Sequence, residues 1–237
     1  MLKSKTITTI TSKKIKLVTL VVLFANSILF AQENYLKIEI NPFFKTKVLE
    51  KNSWYVSKNN DSLQFTKIKF YLTDFKILTK EGKIKQLPNS DFLVGIFNSE
   101  SRNILLENVS YKTGDQLLFN IGVNEKMNTS GALSGALDPA NGMYWSWQSG
   151  YINFKLEGIH FENGIAEEFS FHIGGFLNGY NCERRIQLEG SSNVSRLELD
   201  LNSILQTLST DQAKKIMSPG KRAMELADIL AGSFFLR

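Results

Sequence analysis

The sequence has few of the residues on which disulfides and most enzyme sites depend. Its 237 residues include one cysteine, Cys182, and two histidines, His160 and His172. A single cysteine excludes an internal disulfide, so the stability of the fold has to come from packing. The motifs of serine hydrolases, zinc peptidases and nucleotide-binding proteins are missing, and two histidines leave little choice of a catalytic base. We therefore predict a binding protein and not an enzyme.

The chain also has no excess of charge once its first residues are set aside. Residues 1–31 combine a lysine-rich start with an apolar run from Leu17 to Phe30 and the small residue Ala31. This order is typical of a secretory signal peptide, and the apolar run is too short for a membrane span. Five of the 28 basic residues lie in this leader, which leaves 23 against 23 acidic ones. That balance argues against a nucleic-acid ligand. We expect an exported protein, periplasmic or extracellular, with no membrane span in its mature chain and one folded domain over residues 32–237.

Apolar and polar residues alternate along most of that domain. In YLKIEI, Leu36, Ile38 and Ile40 share one face, and the same period of two recurs in KIKFYLTDFKIL, QLLFNIGV, YINFKLE, EEFSFHI, RIQLEG and VSRLELDL. Such strands, separated by turn-forming residues, predict an all-β fold, an antiparallel β-sandwich. Near the C-terminus the apolar spacing becomes helical, with Ser218 as a predicted N-cap, which predicts short C-terminal helices.

The candidate metal ligands are His172 and Cys182. His172 alternates with the phenylalanines of FSFHI, so we expect it on a solvated face, and His160 likewise lies opposite Ile159 and Phe161. Cys182 follows His172 in the next loop. Imidazole and thiolate are both good ligands for copper and zinc. The alternatives are a surface histidine beside a glycine turn and a buried, inert thiol.

The segment GMYWSWQSGY holds two of the three tryptophans. Met143, Trp145 and Trp147 fall on one side of an extended segment. Two indoles on one face either plug the end of a sandwich or line a pocket for a metal or another ligand. We expect both tryptophans to be buried; exposed indoles would instead form a stacking platform for carbohydrate.

The run LDPANGMYWSWQSGYINFKLEG, then FSFHIGG with a following cysteine, and IMSPGKRAMELADILAGSFF resemble the methanobactin-associated periplasmic copper-binding family, or MbnP-like proteins. The resemblance covers about residues 35–235. It implies a secreted β-sandwich in copper handling, in which histidines and a tryptophan oxidised to kynurenine hold the metal. It also implies a di-haem peroxidase-like partner that performs the oxidation. At matching positions it assigns His172 and Cys182 to the metal and Trp145 and Trp147 to the aromatic string.

This chain departs from the family pattern in its histidines. Members with a clear copper site carry a further histidine in the N-terminal part, and here none precedes His160. A thiolate–imidazole pair of Cys182 and His172 suits Cu(I). The main hypothesis is an MbnP-like copper-handling protein with a partly depleted metal site. The alternatives are a metal-free interaction module and a carbohydrate-binding module. A second ligand beside His172 distinguishes the first two, and exposed indoles would favour the third.

Overall fold

Two β-sheets packed face to face make up most of the chain in the computed structural model. The structure describes residues 35–56, 61–109, 111–145, 150–177, 179–189, 194–210 and 214–236. The predicted signal peptide, residues 1–31, lies outside these ranges. In chain order the strands of the described residues are β1 (Tyr35–Phe44), β2 (Lys47–Val48), β3 (Trp54–Val56), β4 (Ser62–Leu78), β5 (Ile84–Gln86), β6 (Phe92–Gly95), β7 (Asn103–Glu107), β8 (Gln116–Ile121), β9 (Tyr144–Trp145), β10 (Gly150–Glu162), β11 (Ile165–Gly174), β12 (Arg184–Glu189), β13 (Val194–Asp200), β14 (Lys215–Ile216) and β15 (Phe234–Leu236).

The first sheet has the order β15-β13-β1-β2, with β7 also paired to β1. Strand β1 pairs with β13 in parallel and with β2 and β7 antiparallel, and β15 pairs antiparallel with β13. The parallel pair joins strands near the two ends of the chain. Since a parallel pair needs a long connection, the short-range sequence pattern carries no signal for it.

The second sheet has the order β12-β8-β4-β10-β11-β14 and is built around the long strand β4. Strand β10 pairs with the first half of β4 and β8 with its second half, both on one edge, while β3, β6 and β5 follow along the other edge. All these pairs are antiparallel. The exception in this sheet is the short parallel contact of β14 with β11.

The main core fills the space between the two sheets. Leu36, Ile38 and Ile40 of β1 are fully buried in it, as their alternation predicts. Phe70 of β4 meets Phe234 of β15 edge to face, with ring centroids 5.4 Å apart. Such contacts across the gap are those of a β-sandwich. The predicted all-β sandwich is therefore confirmed, with two parallel pairings added to an otherwise antiparallel arrangement.

Three short α-helices occur in the described residues, α1 (Glu125–Thr129), α2 (Asn202–Thr210) and α3 (Lys221–Ala231). Helix α3 buries the residues predicted from their helical spacing, namely Ala223, Leu226, Ala227 and Leu230. It begins at Lys221 after Gly220, so the prediction of Ser218 as its N-cap is wrong. No helix among the described residues is long and apolar enough to cross a membrane.

A second, smaller core lies on the opposite face of the second sheet. It consists of Tyr71, Val123, Leu137, Met143, Trp145, Tyr151 and Ile152. The segment 124–145 forms its cover, which includes α1 and two short 3-10 helices, Gly135–Leu137 and Pro139–Asn141. Hydrogen bonds of two buried polar side chains hold this cover against the second sheet. Asn128 accepts a hydrogen bond from the Tyr151 amide at 2.8 Å, and the Tyr151 hydroxyl donates to the Leu137 carbonyl at 2.9 Å.

Candidate metal centre

Polar side chains of three neighbouring strands form two rows on the outer face of the second sheet, beside the second core. The antiparallel registers of β4, β10 and β11 place them directly opposite one another. One row is Lys69, Lys155 and His172, and the next is Lys67, Glu157 and Ser170. These rows carry the described histidine that the sequence marks as a candidate ligand.

Glu157 joins the two rows by hydrogen bonds. Its Oε1 lies 2.9 Å from Nε2 of His172, and its Oε2 accepts from Nζ of Lys67 at 2.7 Å. Burial raises the pKa of Glu157, but the hydrogen bonds from Lys67 and His172 outweigh burial and bring the net pKa below its usual range. The carboxylate is therefore ionised at neutral pH and fixes the orientation of the imidazole ring.

His172 is neutral at neutral pH because its environment disfavours the imidazolium. Burial lowers its pKa most, and the positive charge of Lys155 adds to that effect, while the hydrogen bond to Glu157 opposes it. A neutral ring that donates Nε2–H to Glu157 has its lone pair on Nδ1. Within the described part of the chain, Nδ1 has no hydrogen-bond partner. That nitrogen is the one available to a metal ion.

The expected solvated position of His172 is wrong, since the residue is 8% exposed. It does lie on the face opposite Phe171 and Ile173, but the cover of the second core reaches that face. Lys69 donates to the Asn141 carbonyl at 3.2 Å, and Lys155 donates to the Gly142 carbonyl, both in the cover. These lysines hold the cover against the sheet next to the histidine.

Trp145 lies on the same face of the sheet as His172. Its six-membered ring packs on Gly174, where an added Cβ would come within 2.8 Å of Cζ3. Gly174 follows His172 by two residues in β11, so both point to one side of the strand. Trp145 is 4% exposed. The expected burial is thus confirmed for Trp145, and a carbohydrate-stacking platform is wrong at this position. Trp147 lies outside the described residues.

The structure does not bring Cys182 together with His172. The cysteine is 1% exposed and belongs to the main core, with Phe171 and Ile173, on the other side of β11. Burial raises the pKa of its thiol to about 11, so the thiolate that would bind a metal is disfavoured. Within the described residues no three or more His, Cys, Asp or Glu side chains form a metal-binding group.

His160 faces the core and not solvent, so its predicted position is also wrong. It is 1% exposed, while Phe161 beside it is 38% exposed. Its Nδ1 lies 3.3 Å from Nζ of Lys214. His160 has the same parity as the core residues Phe154 and Leu156 of β10, and that count along YINFKLEGIH predicts its inward direction.

Glu157 is the site residue that the sequence interpretation missed. The sequence feature that predicts the position of Glu157 is the turn after β10, where Asn163 and Gly164 have φ of 52° and 81°. Two such residues form the tight hairpin turn that Asn-Gly favours, and the turn fixes which residues of β10 and β11 are opposite. Counting back from this turn pairs Glu157 with Ser170, which lies two residues before His172 on the same face of β11.

These features define a class of two-sheet β protein with a carboxylate-oriented histidine and a buried indole on the outer face of one sheet. The MbnP family model matches residues 33–218, and the chain belongs to that family. The solved structure of MbnP from Methylosinus trichosporium is similar, with a TM-score of 0.55 and 12% sequence identity over 74% of this chain and 78% of that one. At that identity the likeness concerns the fold. No curated protein sequence matches the chain. The family resemblance noted from the sequence is confirmed.

Proposed function

We propose that this MbnP family member is an exported copper-binding protein in which His172 is the principal protein ligand. The observation that supports the proposal is the neutral imidazole of His172, held by Glu157 at 2.9 Å on the face of the sheet where Trp145 packs on Gly174. Histidines that bind metals generally donate their other ring nitrogen to a carboxylate or carbonyl, which orients the ring and strengthens it as a ligand. The Glu157–His172 pair has that arrangement, with Nδ1 left for the metal.

We propose Cu(I) as the metal. Met143 belongs to the second core, on the same face of the sheet as His172, and thioether and imidazole ligands suit Cu(I) better than the harder divalent ions. The main-core position of Cys182 does not support its predicted role as a ligand. The resemblance to copper-binding members adds a tryptophan oxidised by a di-haem peroxidase-like partner, and we propose Trp145, the residue of the aromatic string that the structure describes, for that role.

Competition for Cu(I) tests the proposal. The reduced protein and its His172→Ala variant are titrated with Cu(I) against a chromogenic chelator, and we expect the variant to lose the competition. Glu157→Gln keeps the size of the side chain but removes the charge that orients His172. It should weaken binding by roughly 10–100-fold, as changes to such partners do. Glu168→Gln, an exposed position of the same strand pair, is the matched control and should bind as wild type. Equal competition by wild type and His172→Ala would contradict the proposal.

A metal-free interaction module is the second candidate, and the small number of candidate metal ligands favours it. The described residues hold no group of three or more candidate ligands, and Cys182 is in the core. In this case the purified wild-type protein fails to take Cu(I) from the chelator at all, whatever its tryptophan oxidation state. Intact mass of the exported protein supplies the companion measurement, because oxidised tryptophan and removal of residues 1–31 both change the mass.

A further inference from the structure

A pocket of about 600 Å³ opens on the outer face of the first sheet, away from the His172 site on the second sheet. Its volume is in the range of pockets that enclose small organic ligands. Both charged and aromatic side chains line it. The residues that matter here are Asn41, Phe43, Val48, Arg102, Glu198 and Phe235.

Strand register builds the floor of this pocket. Glu198 of β13 lies opposite Asn41 of β1 on one side and Phe235 of β15 on the other. Phe43 is two residues after Asn41 and meets Phe235 edge to face, with ring centroids 5.8 Å apart. Val48 of β2 stands opposite Phe43 and is 69% exposed, which places it at the mouth.

Three charged side chains line the pocket, and Lys45 donates to the Val56 carbonyl at 3.1 Å. The other two, Arg102 and Glu198, have opposite signs and are poorly satisfied by the protein. Glu198 is 7% exposed, and among the described residues its carboxylate accepts one long hydrogen bond, from Asn41 at 3.4 Å. The Nε–H of Arg102 is buried and has no partner among the described residues. No ion pair joins Arg102 to any carboxylate in the described part of the chain. Buried polar groups are normally hydrogen-bonded, and leaving one unpaired is costly.

We propose that this pocket binds a small zwitterion with an apolar body, such as an aromatic α-amino acid. The ligand carboxylate accepts from Arg102, its ammonium group donates to Glu198, and its apolar part packs on Phe43 and Phe235. Such a ligand satisfies both charges at once, because it places a group of the opposite sign against each. The pocket is independent of the proposed metal centre, and its ligand binds by charge and shape without a chemical step.

Three related probes separate the two charge contacts. L-phenylalanine carries both charged groups, phenethylamine lacks the carboxylate, and hydrocinnamate lacks the ammonium group. Binding to the purified protein is followed by amide chemical shifts and calorimetry. We expect L-phenylalanine to bind most tightly, with saturable shifts confined to the pocket strands. Arg102→Gln should weaken L-phenylalanine and hydrocinnamate by roughly tenfold to a hundredfold and leave phenethylamine unchanged. Glu198→Gln should weaken L-phenylalanine and phenethylamine similarly and leave hydrocinnamate unchanged.

A third variant keeps the test valid if either of these fails to fold. Val48→Trp fills the mouth from an exposed position and should abolish the binding of all three probes. Ile84→Trp, on β5 of the second sheet and 65% exposed, is its matched control and should bind as wild type. The proposal is overturned if no probe gives saturable shifts, if Val48→Trp binds like wild type, or if the two charge variants weaken all three probes equally.

Discussion

Gly174→Ala perturbs the contact of Trp145 with β11, two residues after His172. A Cβ atom at this position would lie 2.5 Å from the Tyr151 carbonyl oxygen and 2.8 Å from Cζ3 of Trp145. Both distances are too short for non-bonded atoms. The carbonyl belongs to β10, which pairs with β11 at Ile152 and Gly174, so it cannot move away without disturbing the sheet. The indole can move only by leaving the second core.

We expect the substitution to lower the free energy of unfolding by about 3 kcal/mol, the upper part of the usual range for overpacking a core. In a domain of this size that corresponds to a fall in Tm of roughly 6–12 °C. Urea unfolding followed by circular dichroism gives the free energy, and thermal melts give Tm. Because displacement of the indole exposes it to water, the emission of tryptophan fluorescence should also shift to longer wavelength.

Gly95→Ala is the matched control for this substitution. Gly95 is also in a strand, β6, but a Cβ there would have its nearest contact at 3.6 Å, with Oγ of Ser101. Removal of a glycine from a strand with room for a methyl group should leave stability unchanged or raise it by about 0.5–1 kcal/mol. If Gly174→Ala unfolds at the same urea concentration as Gly95→Ala, the packing of Trp145 on β11 is refuted, and with it the geometry of the candidate metal centre.

Three further measurements test the burial that the site depends on. Trp145→Ala should lower the free energy of unfolding in urea by roughly 3–5 kcal/mol, the usual range for a large core aromatic. A variant with the same urea midpoint as wild type would show that Trp145 is not packed in the second core. Cys182 should react with a thiol reagent only after unfolding, since burial raises the pKa of its thiol to about 11; rapid labelling of the native protein would contradict its core position. Burial lowers the pKa of both His160 and His172 from the ordinary value of 6.5, so the folded state binds fewer protons than the unfolded state. The contribution of the two neutral histidines to stability is therefore fully present above pH 6.5 and declines as the pH falls below it, and replacing both with Gln should flatten that decline.

Most of the strand arrangement could be predicted because one-sided burial leaves a period of two in the sequence. Leu36, Ile38 and Ile40 of β1 show the pattern clearly, and all three are buried. The register of β10 and β11 could also be predicted, since the turn at Asn163 and Gly164 fixes it. The parallel pairing of β1 with β13 could not, because it depends on contacts between strands more than a hundred residues apart.

The second core could not be predicted from alternation. Tyr71 shares the outer face of β4 with Lys67 and Lys69, and periodicity alone marks that face as solvated. The structure buries Tyr71 fully because the cover, residues 124–145, folds over it. Hydrogen bonds between side chains such as Asn128 and the backbone hold that cover in place, and such bonds have no periodic signal. The burial of His172 follows from the same cover, so alternation along β11 does not predict it.

A β-bulge in β10 connects the fold to the candidate site. Ile152, Phe154 and Leu156 have one parity and are predicted on one face, yet Ile152 belongs to the second core while Phe154 belongs to the main core. The register of β10 against β11 shifts between Ile152 and Phe154, which leaves Asn153 as the extra residue.

The side chain of Asn153 explains how this bulge is held. Its Oδ1 accepts a hydrogen bond from the Val123 amide at 3.1 Å, just after the end of β8. Gly122, next to Val123, leaves the space that this side chain occupies, since an added Cβ would lie 2.4 Å from its Cγ. The bulge therefore turns the start of β10 toward Trp145 while the rest of the strand keeps Lys155 and Glu157 facing His172. One irregular residue thus lets a single strand supply both the wall of the second core and the carboxylate that orients the candidate ligand.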